Sequence, residues 1–196
     1  MPSPYFEKDP SEWKQITEEL IEKHPLKSKE IVDVVLKSWD DIFNSKIGAF
    51  NIGKEIFPAP QIMSFLLHEL VAHYLSLNHP GIYKVGTNKN EKDIHCINDN
   101  QLSVEIKAST HPNQIFANRS YAQPGSGTGQ KEKNGYYITV NFGKHLGENR
   151  PEILLIRFGY LDHSDWIAQK ASTGQQARLL PLVYQHKLKI IYSALK

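Results

Sequence analysis

The sequence predicts an α/β fold, in which a mixed central β-sheet flanked by helices follows a helical N-terminal third. Over about residues 1–80, apolar residues recur with helical spacing between clear start and stop signals. Over about residues 81–196, they form short β-branched and aromatic runs that Gly, Asn, Pro and Lys separate. No repeat or linker divides the 196 residues. We therefore expect residues 1–196 to form a single domain.

Helix signals place three helices in the first third of the chain and one later. Asp9 can cap the first helix, with Glu12 reaching back as in a capping box. Apolar residues at helical spacing predict a second helix from Ser28 to about Phe43. A third helix begins at Pro60 and is apolar on most sides, so we expect it to be buried. A further helix is expected around Asp165–Arg178.

Six short runs in the second part have the composition of strands. They are IYKV (82–85), DIHCI (93–97), LSVEIKA (102–108), GYYITVNF (135–142), EILLIRFGYL (152–161) and KLKIIYSAL (187–195). A long polar segment, residues 108–134, separates the third run from the fourth and is rich in Gly, Ser, Asn and Gln. A connection of this length is either functional or disordered.

Composition excludes several classes of protein. Hydrophobic residues make up 40% and charged residues 22%, which is ordinary for a folded protein and argues against disorder. The single cysteine, Cys96, excludes an internal disulfide and a Cys-rich zinc site, and it favours a reducing compartment, the cytoplasm. The start MPSPYFEKDP has no secretion signal, and no apolar run approaches the roughly 20 residues that cross a bilayer. We expect no membrane partner.

The net charge of +2 is unevenly distributed along the chain. Residues 1–100 hold 11 Lys/Arg and 15 Asp/Glu, a net charge of −4, whereas residues 101–196 hold 12 and 6, a net charge of +6. A basic half can bind a polyanion such as DNA, because Lys and Arg neutralise phosphates. A chance fluctuation of this size is the alternative.

The stretch DIHCINDNQLSVEIKAS (93–109) predicts a β-hairpin. If residues 98–100 form a three-residue loop, Ile94 pairs with Val104 and Asp93 with Glu105. The same register pairs Ile97 with Gln101, Cys96 with Leu102 and His95 with Ser103. One face then carries Ile94, Cys96, Leu102, Val104 and Ile106, and the other Asp93, His95, Ser103, Glu105 and Lys107.

Two opposed carboxylates are the unusual feature of this hairpin. Directly paired residues have Cβ atoms about 4.5–5.5 Å apart, so Asp93 and Glu105 repel each other unless a cation lies between them. Lys107 supplies one positive charge, and a hard divalent ion such as Mg²⁺ would supply more. Two carboxylates, a metal and an adjacent lysine that can orient or deprotonate a water make a site that can hydrolyse a phosphodiester. A solvated strand face with three chance charges is the alternative.

This spacing resembles the PD-(D/E)XK nuclease superfamily, whose site is written Asp-x(n)-(Asp/Glu)-x-Lys. Asp93, eleven intervening residues and Glu105-Ile106-Lys107 carry the resemblance, which covers about 20 residues directly. Lys92 stands where the pattern has proline, and the Gln-x-x-x-Tyr extension of the exonuclease type is absent. The resemblance implies a restriction-endonuclease-like core. Chain size and the long polar segment are most similar to a type II restriction endonuclease.

The resemblance also implies roles for individual residues. Asp93 and Glu105 would bind Mg²⁺, for which Mn²⁺ can substitute, together with the carbonyl of Ile106. Lys107 would position the attacking water or stabilise the scissile phosphate. Asp99 is a rival acid, but the register places it at the loop tip. Glu69 is an outer-shell candidate, since members of the superfamily often add a carboxylate from a preceding helix; an acid on an exposed helix edge is the alternative.

Polar side chains in the basic half are candidates for contact with double-stranded DNA, because Arg pairs with guanine and Asn or Gln with adenine. The candidates in the long polar segment are Asn113, Asn118, Arg119, Tyr121, Gln123, Gln130, Lys131 and Lys133; the candidates in a second cluster are Gln175, Gln176 and Arg178. The lysines would contact phosphates without reading sequence.

The leading hypothesis is a Mg²⁺-dependent type II restriction endonuclease. It implies a homodimer, because one chain offers one site while a palindromic duplex has two equivalent strands. The apolar N-terminal helices are the expected interface, and a cognate DNA methyltransferase is the expected genetic partner. The alternatives are a repair or recombination nuclease of the same superfamily and a DNA-binding module without catalysis.

Overall fold

The computed structural model describes residues 3–123, 132–144, 150–171 and 173–195. Its helices are α1 (Trp13–Lys23), α2 (Ser28–Phe43), α3 (Pro60–Asn78) and α4 (Pro181–His186). Its strands are β1 (Lys46–Ile47), β2 (Phe50–Asn51), β3 (Tyr83–Val85), β4 (Ile94–Cys96), β5 (Val104–Ser109), β6 (Phe116–Asn118), β7 (Gly135–Phe142), β8 (Ile153–Leu161), β9 (Trp166–Ala168), β10 (Gln176–Leu179) and β11 (Leu188–Ser193).

A six-stranded mixed sheet forms the centre of the fold, with the strand order β11-β8-β7-β5-β4-β3. Strands β5 and β7 are parallel, and the other neighbours are antiparallel. A second, three-stranded antiparallel sheet has the order β6-β10-β9, and β1 and β2 form a small ribbon. The predicted α/β class with a mixed sheet after a helical N-terminal part is therefore confirmed.

Apolar side chains collect in two clusters on opposite faces of the main sheet. The first packs α2 and α3 against residues such as Ile106 and Ile138. The second lies among the three-stranded sheet, α4 and the main sheet, where Tyr137 is completely buried. Since successive residues of a strand point to opposite faces, neighbours such as Tyr137 and Ile138 supply different clusters, and β7 is buried along its whole length.

The N-terminal helices follow their sequence signals. α2 spans the predicted residues, and α3 begins at Pro60, where a missing backbone N–H costs nothing. α1 begins at Trp13 with Glu12 at its N-cap position, three residues later than a cap at Asp9 predicts, although Glu12 accepts the N–H of Asp9 at 3.0 Å in the preceding turn. Within the described ranges, no helix is long and apolar enough to cross a membrane.

Two predictions about helices were wrong. The segment expected as a helix around Asp165–Arg178 contains β9 and β10 instead, because Gln176–Leu179 alternates exposed and buried residues with the period of a strand. α3 is also not buried on all sides, since Ile62, Phe65 and Leu77 are 53%, 60% and 72% exposed.

His24 is completely buried at the end of α1. Its Nε2 lies 3.1 Å from the carbonyl oxygen of Leu102, and its Nδ1 accepts the N–H of Leu26 at 3.2 Å. Both contacts are made by a neutral ring with its hydrogen on Nε2, and a proton on Nδ1 would displace the second. Burial lowers the pKa of His24 from 6.5 to about 4.

We predict that this histidine makes the fold sensitive to acid. The unfolded chain takes up a proton near pH 6.5 but the folded chain only near pH 4, so stability present above pH 6.5 is lost as the pH falls towards 4. The loss in the free energy of unfolding is about 3 kcal/mol. Urea unfolding at a series of pH values measures it, and His24→Gln should flatten the slope over this range. An unchanged slope in that variant would contradict the assignment.

Candidate active site

Strand β5 divides its side chains between the two faces of the main sheet. Val104 and Ile106 are completely buried in the first cluster. Glu105 and Lys107 point to the opposite face, where Glu105 lies beside Tyr137 and Tyr121. The predicted division of this strand into an apolar and a polar face is confirmed.

Asp93 lies immediately before β4, where the chain enters the hairpin. Its carbonyl oxygen accepts the N–H of Gly86 at 3.0 Å, and its Oδ2 accepts the N–H of Ile106 at 2.6 Å. The pairing of Ile94 with Val104 is the predicted one. In that register the next pair outward is Asp93 and Glu105, so the acidic side chains come from adjacent strands.

The predicted pairs closer to the loop, from His95–Ser103 to Ile97–Gln101, were wrong. The ladder between β4 and β5 contains the Ile94–Val104 pair, and the chain then leaves it for a one-turn 3₁₀ helix at Asn100–Leu102. Asp99 starts this turn, because its carboxylate accepts the N–H of Gln101 at 2.9 Å. The hydroxyl of Ser103 accepts the N–H of Cys96 at 2.9 Å in place of a backbone partner. These local side-chain bonds replace the three-residue loop.

Glu105 is the buried charge of the site, with only 2% of its surface exposed. Its Oε1 lies 2.5 Å from Lys107 Nζ and accepts the hydroxyl of Tyr121 at 2.6 Å. The ammonium of Lys107 also lies 4.7 Å from the centre of the Tyr121 ring. A buried carboxylate is stable only when such donors meet it.

Tyr121 acts in this group as a neutral donor. Burial, and then the neighbouring Glu105 carboxylate, raises the pKa of Tyr121 well above its usual range. The phenol therefore stays protonated at neutral pH and donates a hydrogen bond to Glu105.

Lys92 adds a second cation near the site. It is 3% exposed, its Nζ donates to the carbonyl oxygen of Asn134 at 2.6 Å, and it lies 5.7 Å from the centre of the Tyr137 ring. Gly135 makes room for it, because a Cβ at this glycine would lie 1.9 Å from Lys92 Nζ. The residue that replaces proline in the superfamily pattern is thus part of the buried surroundings of Asp93.

The oxygen donors of the site suit a hard divalent cation. Asp93 and Glu105 offer carboxylate oxygens, and the carbonyl of Ile106 directly follows Glu105 in sequence. Among the described residues no group of three or more His, Cys, Asp or Glu could hold a metal. Two carboxylates and one backbone carbonyl form a set of oxygen donors, which fits Mg²⁺ or Mn²⁺ better than zinc.

Glu69 lies on α3, which packs on the face of the sheet that carries Ile106. Its side chain is 46% exposed, and its Oε2 lies 3.9 Å from Nε2 of His73, one turn further along the helix. An outer-shell role for Glu69 stays a prediction.

The two segments predicted to contact DNA meet in space. Strand β6, from the long polar segment, pairs with β10, so that Asn118 lies opposite Gln176. Gln176 and Arg178 are exposed, while Ala177 and Leu179 between them are buried in the second cluster. The inner face of the three-stranded sheet is therefore apolar, and on its outer face Arg178 lies between Phe116 and Ile167, its partners on β6 and β9.

Arg119 joins these segments. Its backbone N–H donates to the carbonyl oxygen of Gln175 at 2.7 Å, and its Nη1 donates to the carbonyl oxygens of Ala171 and Gly174 at 3.1 and 3.2 Å. These contacts tie a one-turn 3₁₀ helix, Arg119–Ala122, to the chain before β10. A base-reading role for Arg119 stays a prediction.

A buried arginine supports the start of the polar segment. Arg157 on β8 donates to Asn141 Oδ1 at 2.9 Å and to the carbonyl oxygen of Asn113 at 3.0 Å. Asn141 in turn donates to the carbonyl oxygens of His111 and Gln114 at 2.6 and 3.0 Å. The backbone that follows β5 is therefore fixed from within, and the side chain of Asn113 remains exposed.

The other predicted DNA contacts are scattered around this sheet. Gln123 and Gln175 are exposed, and Lys133 donates to the carbonyl oxygen of Ser120 at 2.9 Å. Gln130 and Lys131 lie outside the described residues. None of these contacts has been tested with DNA, so all of them stay predictions.

Sequence reasoning did not find the bond between Tyr121 and Glu105 or the buried position of Lys92. Sixteen residues separate the tyrosine from the glutamate, and no periodic pattern connects them. The lysine departs from a motif, and a departure does not reveal where the side chain goes.

Known proteins resemble this chain over most of its length. A model of the ScaI restriction endonuclease family matches residues 3–192. The type II restriction enzyme ScaI of Streptomyces caespitosus is 43% identical over 194 residues, which cover 97% of this chain and 85% of that enzyme. No solved structure matches at a significant level. The predicted resemblance to type II restriction endonucleases is confirmed, and the chain belongs to the ScaI restriction endonuclease family.

Proposed function

We propose that this chain is a sequence-specific type II restriction endonuclease whose cleavage centre consists of Asp93, Glu105 and Lys107. One observation carries the assignment of residues: Lys107 and Asp93 converge on the start of β5, through Glu105 Oε1 at 2.5 Å and the N–H of Ile106 at 2.6 Å. Residues 1–196 act as one nuclease domain, since both apolar clusters draw on the same strands of the main sheet.

The reaction joins a water oxygen to phosphorus and breaks the bond from phosphorus to one sugar oxygen. Asp93, Glu105 and the carbonyl of Ile106 would hold a divalent cation, which neutralises phosphate charge when bound. Lys107, which is 15% exposed, orients the attacking water or stabilises the negative phosphate. The surrounding tyrosines exclude bulk water, and this strengthens the electrostatic interactions among the charged groups.

Type II restriction enzymes generally need a divalent metal, and we propose Mg²⁺ with Mn²⁺ as a substitute. Either ion would be held by the carboxylates of Asp93 and Glu105 and the carbonyl of Ile106, and it would supply charge neutralisation and a more acidic water. The protein would act in the cytoplasm, where Cys96 stays a thiol and DNA is present. A methyltransferase of the same specificity would protect the host DNA.

Digestion of a mixed-sequence plasmid tests the activity directly. With Mg²⁺ the purified protein should give discrete fragments whose ends share one sequence, and with excess EDTA it should give none. Binding without cleavage would favour a DNA-binding module, and nicks at particular structures would favour a repair nuclease. Full activity in EDTA would end the metal proposal.

We predict that Asp93→Asn, Glu105→Gln and Lys107→Ala each lower the cleavage rate by about 10²–10⁴-fold, because each removes a group that acts on metal, water or phosphate. Lys107→Ala should also lower the free energy of unfolding, since it removes a donor from the buried Glu105 carboxylate. Single-turnover cleavage measures the rate, and thermal unfolding monitors the fold. Lys107→Ala should still bind DNA. Asp99→Asn is the matched control, since Asp99 is an acid of the same hairpin that caps a turn. If Asp93→Asn cut normally and Asp99→Asn did not, the assignment would be reversed.

The outer face of the three-stranded sheet is the proposed surface for reading DNA sequence. A narrow antiparallel sheet fits the major groove, and Asn, Gln and Arg on its outer face can pair with base edges. Asn118, Gln176 and Arg178 are exposed there, and Arg119 fixes the backbone beside them.

We predict that Gln176→Ala and Arg178→Ala each cost about 1–3 kcal/mol of discrimination between the cognate site and sites that differ by one base. Lys133→Ala should weaken binding to all sequences alike, because it contacts phosphate. Binding assays with the two kinds of site separate these effects, with Gln15→Ala on α1 as the control. Unchanged discrimination in the double variant of Gln176 and Arg178 would exclude this sheet as the reader.

A row of residues on α3 is the proposed interface of a homodimer. Ile62, Phe65, Glu69, His73 and Leu77 follow at spacings of three or four and lie on one exposed face of the helix. Phe65, Glu69, His73 and Leu77 form an i, i+4 row, and such rows of two helices pack at about −50°.

This row is complementary to itself. Two copies can cross antiparallel about a two-fold axis that meets the exposed face of α3 at the level of residue 71. Phe65 of one copy then lies beside Leu77 of the other, and Glu69 lies beside His73. A two-fold interface requires such reciprocal contacts, and it presents two cleavage centres to the two strands of a palindrome.

We predict that Phe65→Asp dissociates the dimer and slows the second strand cut, because a charge enters an apolar contact. Sedimentation of the DNA-bound protein and a time course of nicked plasmid measure both effects. Ile190→Asp is the control, as Ile190 is 56% exposed on β11. Glu69→Lys should weaken the dimer, and Glu69→Lys with His73→Glu should restore it. One wild-type subunit per site with much nicked plasmid would refute the dimer.

A further inference from the structure

Tyr121 connects the three-stranded sheet to the cleavage centre. Its hydroxyl donates to Glu105 Oε1 at 2.6 Å, and its ring packs edge-on against Trp166, the first residue of β9, with ring centres 5.4 Å apart. It belongs to the 3₁₀ turn Arg119–Ala122, which directly follows β6. Tyr121 therefore contacts both a strand of the three-stranded sheet and the carboxylate of Glu105.

The turn that carries Tyr121 is bonded to β10 and the chain before it. Arg119 donates from its backbone to Gln175 and from its guanidinium to Ala171 and Gly174. Asn118, next to Arg119, pairs directly with Gln176 on β10. If contact with a DNA base pair displaced Gln176, the turn and Tyr121 would therefore move with it.

Two donors already occupy the same oxygen of Glu105. Lys107 Nζ and the hydroxyl of Tyr121 both contact Oε1, and a carboxylate oxygen has two lone pairs. A cation that binds this oxygen has to displace one of them. Lys107 is needed beside the reacting phosphate, so Tyr121 is the donor that can leave without loss to the chemistry.

We propose that Tyr121 is a positioning residue that guards Glu105 until DNA lies on the three-stranded sheet. Without DNA, its hydroxyl holds Oε1 and disfavours metal binding. Cognate DNA shifts β6 and β10, withdraws the hydroxyl and frees Oε1 for the cation. The proposal rests on the proposed function, because it requires Glu105 to be a metal ligand.

A second cluster in the same chain provides the matched control. Tyr74 donates its hydroxyl to Asp41 Oδ2 at 2.5 Å, Lys37 Nζ lies 2.6 Å from the same oxygen, and it lies 4.3 Å from the centre of the Tyr74 ring. This is the arrangement of Tyr121, Glu105 and Lys107, placed on α2 and α3 at the surface. Tyr74→Phe removes an equivalent bond far from the cleavage centre.

Mn²⁺ binding to the protein without DNA is the first measurement. By titration calorimetry, Tyr121→Phe should bind Mn²⁺ roughly tenfold more tightly than wild type, because one hydrogen bond to a charged acceptor no longer competes. Tyr74→Phe should bind as wild type does. The loss of a ring hydroxyl leaves the contact with Trp166 in place, and thermal unfolding checks this.

Discrimination in cleavage is the second measurement. Tyr121→Phe should raise the cleavage rate at sites that differ from the cognate by one base relative to the rate at the cognate site, so that the ratio of cognate to near-cognate rates falls about tenfold. A tyrosine that only supports the fold would lower both rates together. Tyr74→Phe should keep the wild-type ratio.

Unchanged or weaker Mn²⁺ binding in Tyr121→Phe would overturn the proposal, and so would an unchanged ratio. Glu105→Gln separates this failure from a failure of the proposed function. If Glu105→Gln still cleaves, Glu105 is not a ligand and the proposed function fails. If Glu105→Gln is inactive while Tyr121→Phe behaves as Tyr74→Phe does, only the guarding role fails.

Discussion

The carboxylate of Glu105 lies almost wholly out of water, and a charge in that position has to be met by donors from neighbouring elements. Lys107 supplies one donor from the same strand, and Tyr121 supplies another from the polar segment. Around them, β7 contributes Tyr137, and the start of β9 contributes Trp166. The parallel pairing of β5 with β7 and the seating of the three-stranded sheet both serve to enclose this one group.

The parts of the fold that could be predicted are those with short-range signals. Helices α2 and α3 start where the sequence indicates, and β5 has its apolar and polar faces as expected, because periodicity records burial directly. The pairing of Ile94 with Val104 was also predicted. The turn beyond it was not, because bonds from Asp99 and Ser103 to the backbone outweighed the simplest hairpin loop.

The parts that could not be predicted depend on contacts between distant segments. The sequence predicts the end of a helix where β10 lies. This segment is a strand because β6 and β9 pair with it on either side. The hydrogen bond from Arg119 to Gly174 joins residues 55 positions apart, and the sequence of neither segment indicates that they are in contact. In the same way, the sequence presents the polar positions of both segments as separate clusters, and only the sheet brings Asn118 opposite Gln176. The choice of partner in long-range pairing leaves no local pattern in the sequence.

The parallel arrangement of β5 and β7 has a consequence for how such a protein can diverge. Two parallel neighbours require a crossover connection between them, and of this crossover the structure describes residues 110–123 and 132–134. Arg157 and Asn141 fix the beginning of this crossover from the buried side through backbone carbonyls, which every amino acid possesses. Exposed side chains at that beginning, such as Asn113, can therefore change in relatives without disturbing the strand that holds Glu105.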